Sequence, residues 1–240
     1  MQGPSAATLL SKLPFHKTMG TGNFLGVYCV SRYVREAIVE VATRLIMQQG
    51  VRATTMDQIA DLLGISKKTL YEHFASKDML IEVCADTFLK NMEAKLNEIR
   101  QLHTENALLP MIATANFVYG LLTSLNPILF TELRRVIPHA RARVLPRIQE
   151  LIQRQLTLSV QQAVREGLFR SDLPMDMLPL WMSYVIVQVV LNPAFAEQAQ
   201  KSVAEIYAET ILLLLYSFTT EKGRVLLETY KSQIRQAYVR

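Results

Sequence analysis

The chain has little cysteine, one tryptophan and no apolar run long enough to cross a bilayer. Its 240 residues carry two cysteines, Cys29 and Cys84. Two isolated thiols make neither a disulfide framework nor a zinc site, and a reducing cytoplasm is the setting they fit. His16, His73, His103 and His139 have no ligand spacing and no cysteine or carboxylate partner, so no metal and no cofactor is expected. The apolar runs at 185–191 and 211–215 are cut by Gln188, Asn192-Pro193, Glu209-Thr210 and Thr219-Thr220. Both fall well short of the roughly 20 residues of a spanning helix, and no membrane partner is expected. A glycine-rich phosphate loop and a recognisable nucleophile–base pairing are also missing, which leaves an enzyme without support. There is no alternating strand pattern, no internal repeat and no low-complexity tract.

Residues 1–30 contain Gly3, Gly20, Gly22, Gly26, Pro4 and Pro14 and lack any acid. They read as a flexible extension. The apolar stretch at 24–30 is minimal for a signal peptide and runs into a helical pattern without a small-residue cleavage site.

What is present is apolar surface and helical periodicity. Half of the residues are hydrophobic, and 26 basic against 21 acidic residues leave a net charge of +5. That charge permits nucleic-acid binding without demanding it. Val34, Ala37, Ile38, Val41, Ala42, Leu45 and Ile46 recur at helical spacing and predict a helix over 31–49, ended by Gly50. A second helix opens at Thr55 with Gln58 three residues on, the pattern of a capping box, and ends at Gly64. A third opens at Ser66, a preferred N-cap, and ends near Phe74; a fourth opens at Ser76 and runs to about Arg100. Further helices are expected at 107–125, 126–137, 144–166, 175–191, 201–220 and 223–238. The fold class is therefore all-α: an N-terminal three-helix domain at 31–78 and a larger helical domain at 79–240, after the extension at 1–30.

Residues 54–74, TTMDQIADLLGISKKTLYEHF, carry the functional signal. Ala60 is small, so the third helix can cross the second closely. Gly64 suits the positive φ of the turn, and Leu70 points back to a core with Ile59, Leu63, Ile65 and Phe74. This is a helix-turn-helix pattern, whose second helix enters the DNA major groove.

With the amphipathic helix before it and Ser76-Lys77-Asp78 after it, this region resembles the TetR family of transcriptional regulators, closely over 31–80 and only in architecture beyond residue 100. The segment 166–173 resembles a Gly-containing turn that links two ligand-domain helices in that family. The resemblance implies that Thr55 holds a phosphate at a helix N-terminus. Ser66, Lys67, Lys68 and Thr69 open the recognition helix; a lysine there reads guanine or binds phosphate. Tyr71 and His73 grip the backbone, and Lys77 holds phosphate. Met56 stands where some members carry arginine, so that contact is absent. Glu72 either accepts from cytosine or is solvated.

From 31 to 77 seven bases face five acids, a surplus of only +2. Strong binding by one copy is not expected, and a two-fold homodimer on a palindromic double-stranded DNA operator is the physical remedy. The resemblance places the dimer surface on the helices at 175–191 and 201–220. Phe117, Phe130, Trp181, Tyr184 and Gln188 are the candidate lining of a pocket for a largely apolar small-molecule effector. Arg134, Arg135, Arg141, Arg143 and Arg147 form a basic run that either solvates a surface connection or favours an anionic ligand or the DNA backbone. The implied function is a sequence-specific repressor released from its operator by a ligand. The alternative is an effector-independent DNA-binding scaffold or partner-regulated adaptor.

Overall fold

A computed structural model describes residues 24–135, 138–174 and 176–230. The described residues form eleven α-helices and one π-helical turn. In chain order these are α1 (Phe24–Gln49), α2 (Met56–Leu63), α3 (Lys67–His73), α4 (Lys77–Leu102), α5 (Leu108–Ser124) and α6 (Ile128–Arg135). There follow α7 (Pro138–Arg165), α8 (Leu178–Tyr184) continuing as the π-turn Val185–Val190, α9 (Pro193–Ala199), α10 (Val203–Phe218) and α11 (Glu221–Thr229). The chain divides into two compact units between Thr87 and Phe88, a point inside α4.

In the first unit α1 begins seven residues before the expected Ser31. Apart from Gly26 the stretch at 24–30 holds no helix breaker, and one interior glycine costs only about 1 kcal/mol. The apolar stripe of α1 lands where its spacing puts it. Ile38, Val41, Ala42 and Leu45 are buried, Val39 joins them, and Val34 and Ile46 pack at the margin. Against this stripe lie Met56, Ile59 and Ala60 from α2, Leu70 and Phe74 from α3, and Leu80 and Cys84 from α4. Each large side chain so buried contributes about 1.5–3 kcal/mol. Met56 is thus a core residue.

The second unit is built around Leu108, Ile112, Val160, Ala163, Leu168, Phe169, Met182, Leu214, Leu215, Phe218 and Leu227. A neighbouring cluster gathers Ala115, Leu122, Phe130, Val190, Val203, Ile206 and Tyr207. A third joins Leu89, Leu96 and Leu151, with Phe88, Met92, Phe117 and Ile148 against them. Arg154 pairs with Glu93 at 2.9 Å, and Arg100 donates to the Gln155 side chain, tying α7 to the second part of α4.

Three sequence expectations change here. Pro138, read as a break, is the first residue of α7, where its missing N–H costs no helical bond, and the helix continues through Pro146. Asn192-Pro193 does break the chain after the π-turn ends at Val190, but it also starts α9, which was not expected: Asn192 accepts from the Ala194 N–H at 3.1 Å and Pro193 occupies the first turn. Gly223, read as a boundary before a last helix at 223–238, lies inside α11; 231–240 fall outside the described residues. The extension at 1–23 falls outside them too, as do the side chains of Arg134, Arg135, Arg141 and Arg143.

The Gly-containing turn at 166–173 is held tightly. Gly167 has φ 67° and closes α7, with Leu168 N–H bonded to Ala163 O at 2.8 Å. Phe169 and Thr219 form an antiparallel bridge, although neither segment has a strand pattern. Around it, Arg170 N–H donates to Phe218 O at 3.0 Å and Thr220 N–H to Leu168 O at 2.9 Å. The Thr220 hydroxyl donates to Gly167 O at 2.7 Å, and Lys222 Nζ to Glu166 O at 2.8 Å. The Glu166 carboxylate accepts from Ala107 N–H at 2.8 Å, meeting the N-terminus of α5.

Candidate nucleic-acid interface

The turn between α2 and α3 is fixed by backbone chemistry. Gly64 takes φ 63°, ψ 28°. Its N–H bonds to Asp61 O at 3.2 Å, and Ile65 N–H to Ala60 O at 3.1 Å. That double bond pattern ends α2 and turns the chain. Ala60 is 1% exposed, so the small residue sits where the helices meet.

Each helix then opens on a hydroxyl cap. Thr55 Oγ1 accepts from Gln58 N–H at 3.1 Å. The reciprocal half of the expected capping box is replaced: the Gln58 amide instead pairs with Gln49 at the end of α1, at 2.7 Å. The cause is proximity, since the buried Thr54 bonds Gly50 O at 2.8 Å and draws the end of α1 to the start of α2. Ser66 Oγ accepts from Thr69 N–H at 3.0 Å, and the two hydroxyls share a further hydrogen bond at 2.8 Å.

α3 has two faces. Leu70 and Phe74 are 0% and 1% exposed and anchor the helix. Lys67, Lys68, Tyr71 and Glu72 are exposed, with Ser66 beside them, and Thr69 and His73 are half-buried. Lys67 and Tyr71, four apart, share one side of the helix. The far end is tied from α1: Arg35 donates to His73 O at 3.0 Å and lies 4.2 Å from the centre of the Phe74 ring. Arg35 therefore spends its charge on fixing α3, a role that sequence reasoning did not assign.

The charges expected to meet DNA are unequally free. Lys67 Nζ is 2.6 Å from Asp57 Oδ2 in the first turn of α2, both side chains being more than half exposed. The hydrogen bond to Asp57, helped by the carboxylate's charge, raises the Lys67 pKa above the ordinary lysine value. Lys77 Nζ lies 3.4 Å from Arg52 O. Lys68 makes no ion pair among the described residues. Thr55 is exposed, its hydroxyl proton uncommitted by the bond it accepts.

The five residues expected to line a pocket are not brought together. Phe117 packs on Leu89, Leu96 and Leu151, and Phe130 lies in the cluster with Val190 and Tyr207. Trp181 and Tyr184 are 53% and 50% exposed, and Gln188 is exposed with them. With Met177 they make one outward stripe at helical spacing. Aromatic type alone could not tell an outward stripe from an inward wall. On α10, Leu214 and Leu215 are buried while Leu213 is 67% exposed.

An exposed, polar, doubly capped helix seated on a three-helix core by two apolar anchors defines a helix-turn-helix DNA-binding protein. Comparison with known proteins places it further. Residues 38–84 match the signature of bacterial regulatory proteins of the tetR family. The HTH-type transcriptional repressor KstR2 of Mycobacterium tuberculosis is 31% identical over 162 residues, spanning 60% of this chain and 73% of the relative. KstR2 of Rhodococcus jostii is 29% identical over 146 residues, spanning 60% and 71%. Among solved structures, a TetR-family regulator from Agrobacterium tumefaciens superposes with TM-score 0.62 at 15% identity, over 79% of this chain and all of that one. CprB from Streptomyces coelicolor, in complex with its operator, does so with TM-score 0.57 at 20% identity, over 86% and 98%. The chain belongs to the TetR family of transcriptional regulators; it is a DNA-binding regulator and not an enzyme.

Proposed function

We propose that this chain is a homodimeric cytoplasmic repressor whose two α3 helices read the halves of a palindromic operator and which a largely apolar small molecule releases. The observation that carries the reading is the outward face of α3, held in place by Leu70, Phe74 and Arg35. Lys67, Lys68 and Thr69 are the groups for base edges or nearby phosphates. Thr55, Ser66, Tyr71, His73 and Lys77 are the groups for the backbone, the half-buried His73 contributing least.

Dimerisation is supported by the outward stripe Met177, Trp181, Tyr184 and Gln188 and by Leu213 on α10. Side chains of this size are seldom left in water in such number on one stripe. Two copies supply twice the phosphate contacts, which the small positive surplus at 31–77 requires. With the stripe turned outward, Phe117 and Phe130 remain as effector contacts inside the second unit. The effector acts by its difference in affinity between two states of the protein, and α4, whose residues belong to both units, is the element through which that difference reaches α3.

Selection of bound sequences from a random duplex pool at fixed moderate salt tests the reading. The expected result is a palindromic consensus that a Lys67→Ala, Tyr71→Ala variant no longer recovers, with its oligomeric state unchanged. No enriched sequence, with only weak binding steeply dependent on salt, overturns it.

A further inference from the structure

Two adjacent lysines open α3, and the structure treats them differently. Lys68 is exposed and makes no ion pair among the described residues. Lys67 is bonded at 2.6 Å to Asp57, which stands two residues after Thr55 at the start of α2. A carboxylate there favours the helix N-terminus. It also stands next to the place where a phosphate is to dock, and like charges oppose that docking. A solvated first-turn acid would meet the first need with no bond to Lys67 at all.

The bond changes what Lys67 can do. Duplex binding draws its sequence-independent strength from cations that neutralise phosphates and release counterions. A lysine already neutralised by a carboxylate gains little from a phosphate, because the Asp57 charge repels a second anion on the same ammonium. A guanine edge is a different partner. Its O6 and N7 are neutral acceptors, and an ammonium has three donors, so Lys67 can keep Asp57 on one and use the others on the base. We infer that Asp57 is a specificity-determining residue: it withholds the Lys67 charge from phosphates on arbitrary DNA while presenting the ammonium to base-edge acceptors of the operator.

This rests on Lys67 contacting the operator, and the test separates the two claims. Wild type, Asp57→Asn, Lys67→Ala and the double variant are titrated with the selected operator and with a scrambled duplex of equal length over a range of salt. Lys67→Ala is expected to weaken operator binding by about tenfold or more while leaving scrambled binding within about twofold. Asp57→Asn is expected to strengthen scrambled binding several-fold and to steepen its log–log salt slope by roughly 0.9 per half-site. The ratio of operator to scrambled affinity then falls, and the double variant takes the steepening back. An Asp57→Asn protein with unchanged scrambled affinity and slope, or with both duplexes weakened alike, overturns the inference alone. Unchanged operator affinity in Lys67→Ala overturns the contact on which it rests. Thermal unfolding is recorded for every variant, and Asp57→Ser replaces Asp57→Asn if the latter does not fold.

Discussion

Replacing Gly223 by alanine puts a methyl group where there is no room. Its Cβ would lie 2.1 Å from Leu168 O, 3.0 Å from Leu168 C and 3.2 Å from Thr219 Cβ. The first two are backbone atoms and cannot rotate away, so α11 and the turn after Gly167 must separate. That separation strains a closely bonded clasp. Leu168 O accepts from Thr220 N–H at 2.9 Å, Gly167 O accepts from the Thr220 hydroxyl at 2.7 Å, and Gly223 N–H is itself held by Thr220 Oγ1 at 3.1 Å. Below them Leu168, Phe169 and Leu227 are at most 2% exposed. Two weakened hydrogen bonds at about 1 kcal/mol each, with about 1–3 kcal/mol of overpacking, oppose a gain of about 0.4–1 kcal/mol from a less free unfolded chain. The net loss is about 2–4 kcal/mol. For a chain of 240 residues each kcal/mol moves Tm by about 2–4 °C, so a fall of about 5–15 °C is expected by calorimetry or circular dichroism. An unchanged or raised Tm would refute the claim that the clasp depends on a missing side chain.

Two other glycines serve as controls, since a Cβ at Gly64 or Gly120 meets nothing within 4 Å. Gly64→Ala is expected to cost about 1–2 kcal/mol through its φ of 63° alone, whereas Gly120→Ala, inside α5, is expected to stabilise by about 0.5–1 kcal/mol; urea titration distinguishes them. Leu213→Glu is expected to weaken self-association by about 30-fold or more in sedimentation equilibrium, and an unchanged dimer would remove α10 from the interface. Glu205 has its pKa lowered by hydrogen bonds from the Ser202 hydroxyl and N–H, with Lys201 adding to the effect. Because the folded value is depressed, its stabilisation is present above the ordinary glutamate value and is lost as pH falls through the folded one. Glu205→Gln should therefore lower Tm at neutral pH and converge with wild type in acid; parallel curves would contradict the capping role.

Local chemistry was enough to write much of the first unit from the residues. Helical spacing marked Ile38, Val41, Ala42 and Leu45 as one buried stripe, and small or capping residues marked Ala60, Gly64 and Ser66, because these constraints act within a few residues of the chain. The pair Ser202 and Glu205 makes a capping box at α10 by the same logic, readable as Ser-x-x-Glu though not picked out beforehand. Asn192-Pro193 was read as an end and is one, with the π-turn closing at Val190, but it is also a start, since proline is excluded from a helix interior but welcome in its first turn.

What only the tertiary structure decided are the contacts between residues far apart in the chain. Gln58 left its own helix for Gln49, Lys67 found Asp57, and Arg35 closed the end of α3, each a choice among partners that spacing cannot rank. Trp181 and Tyr184 turned outward although their composition suited an inner wall, because which side of α8 faces the core depends on what packs there. Gly223 looked like a helix boundary in sequence. Its reason is steric, and it exists only once Leu168 O lies where a side chain would have been.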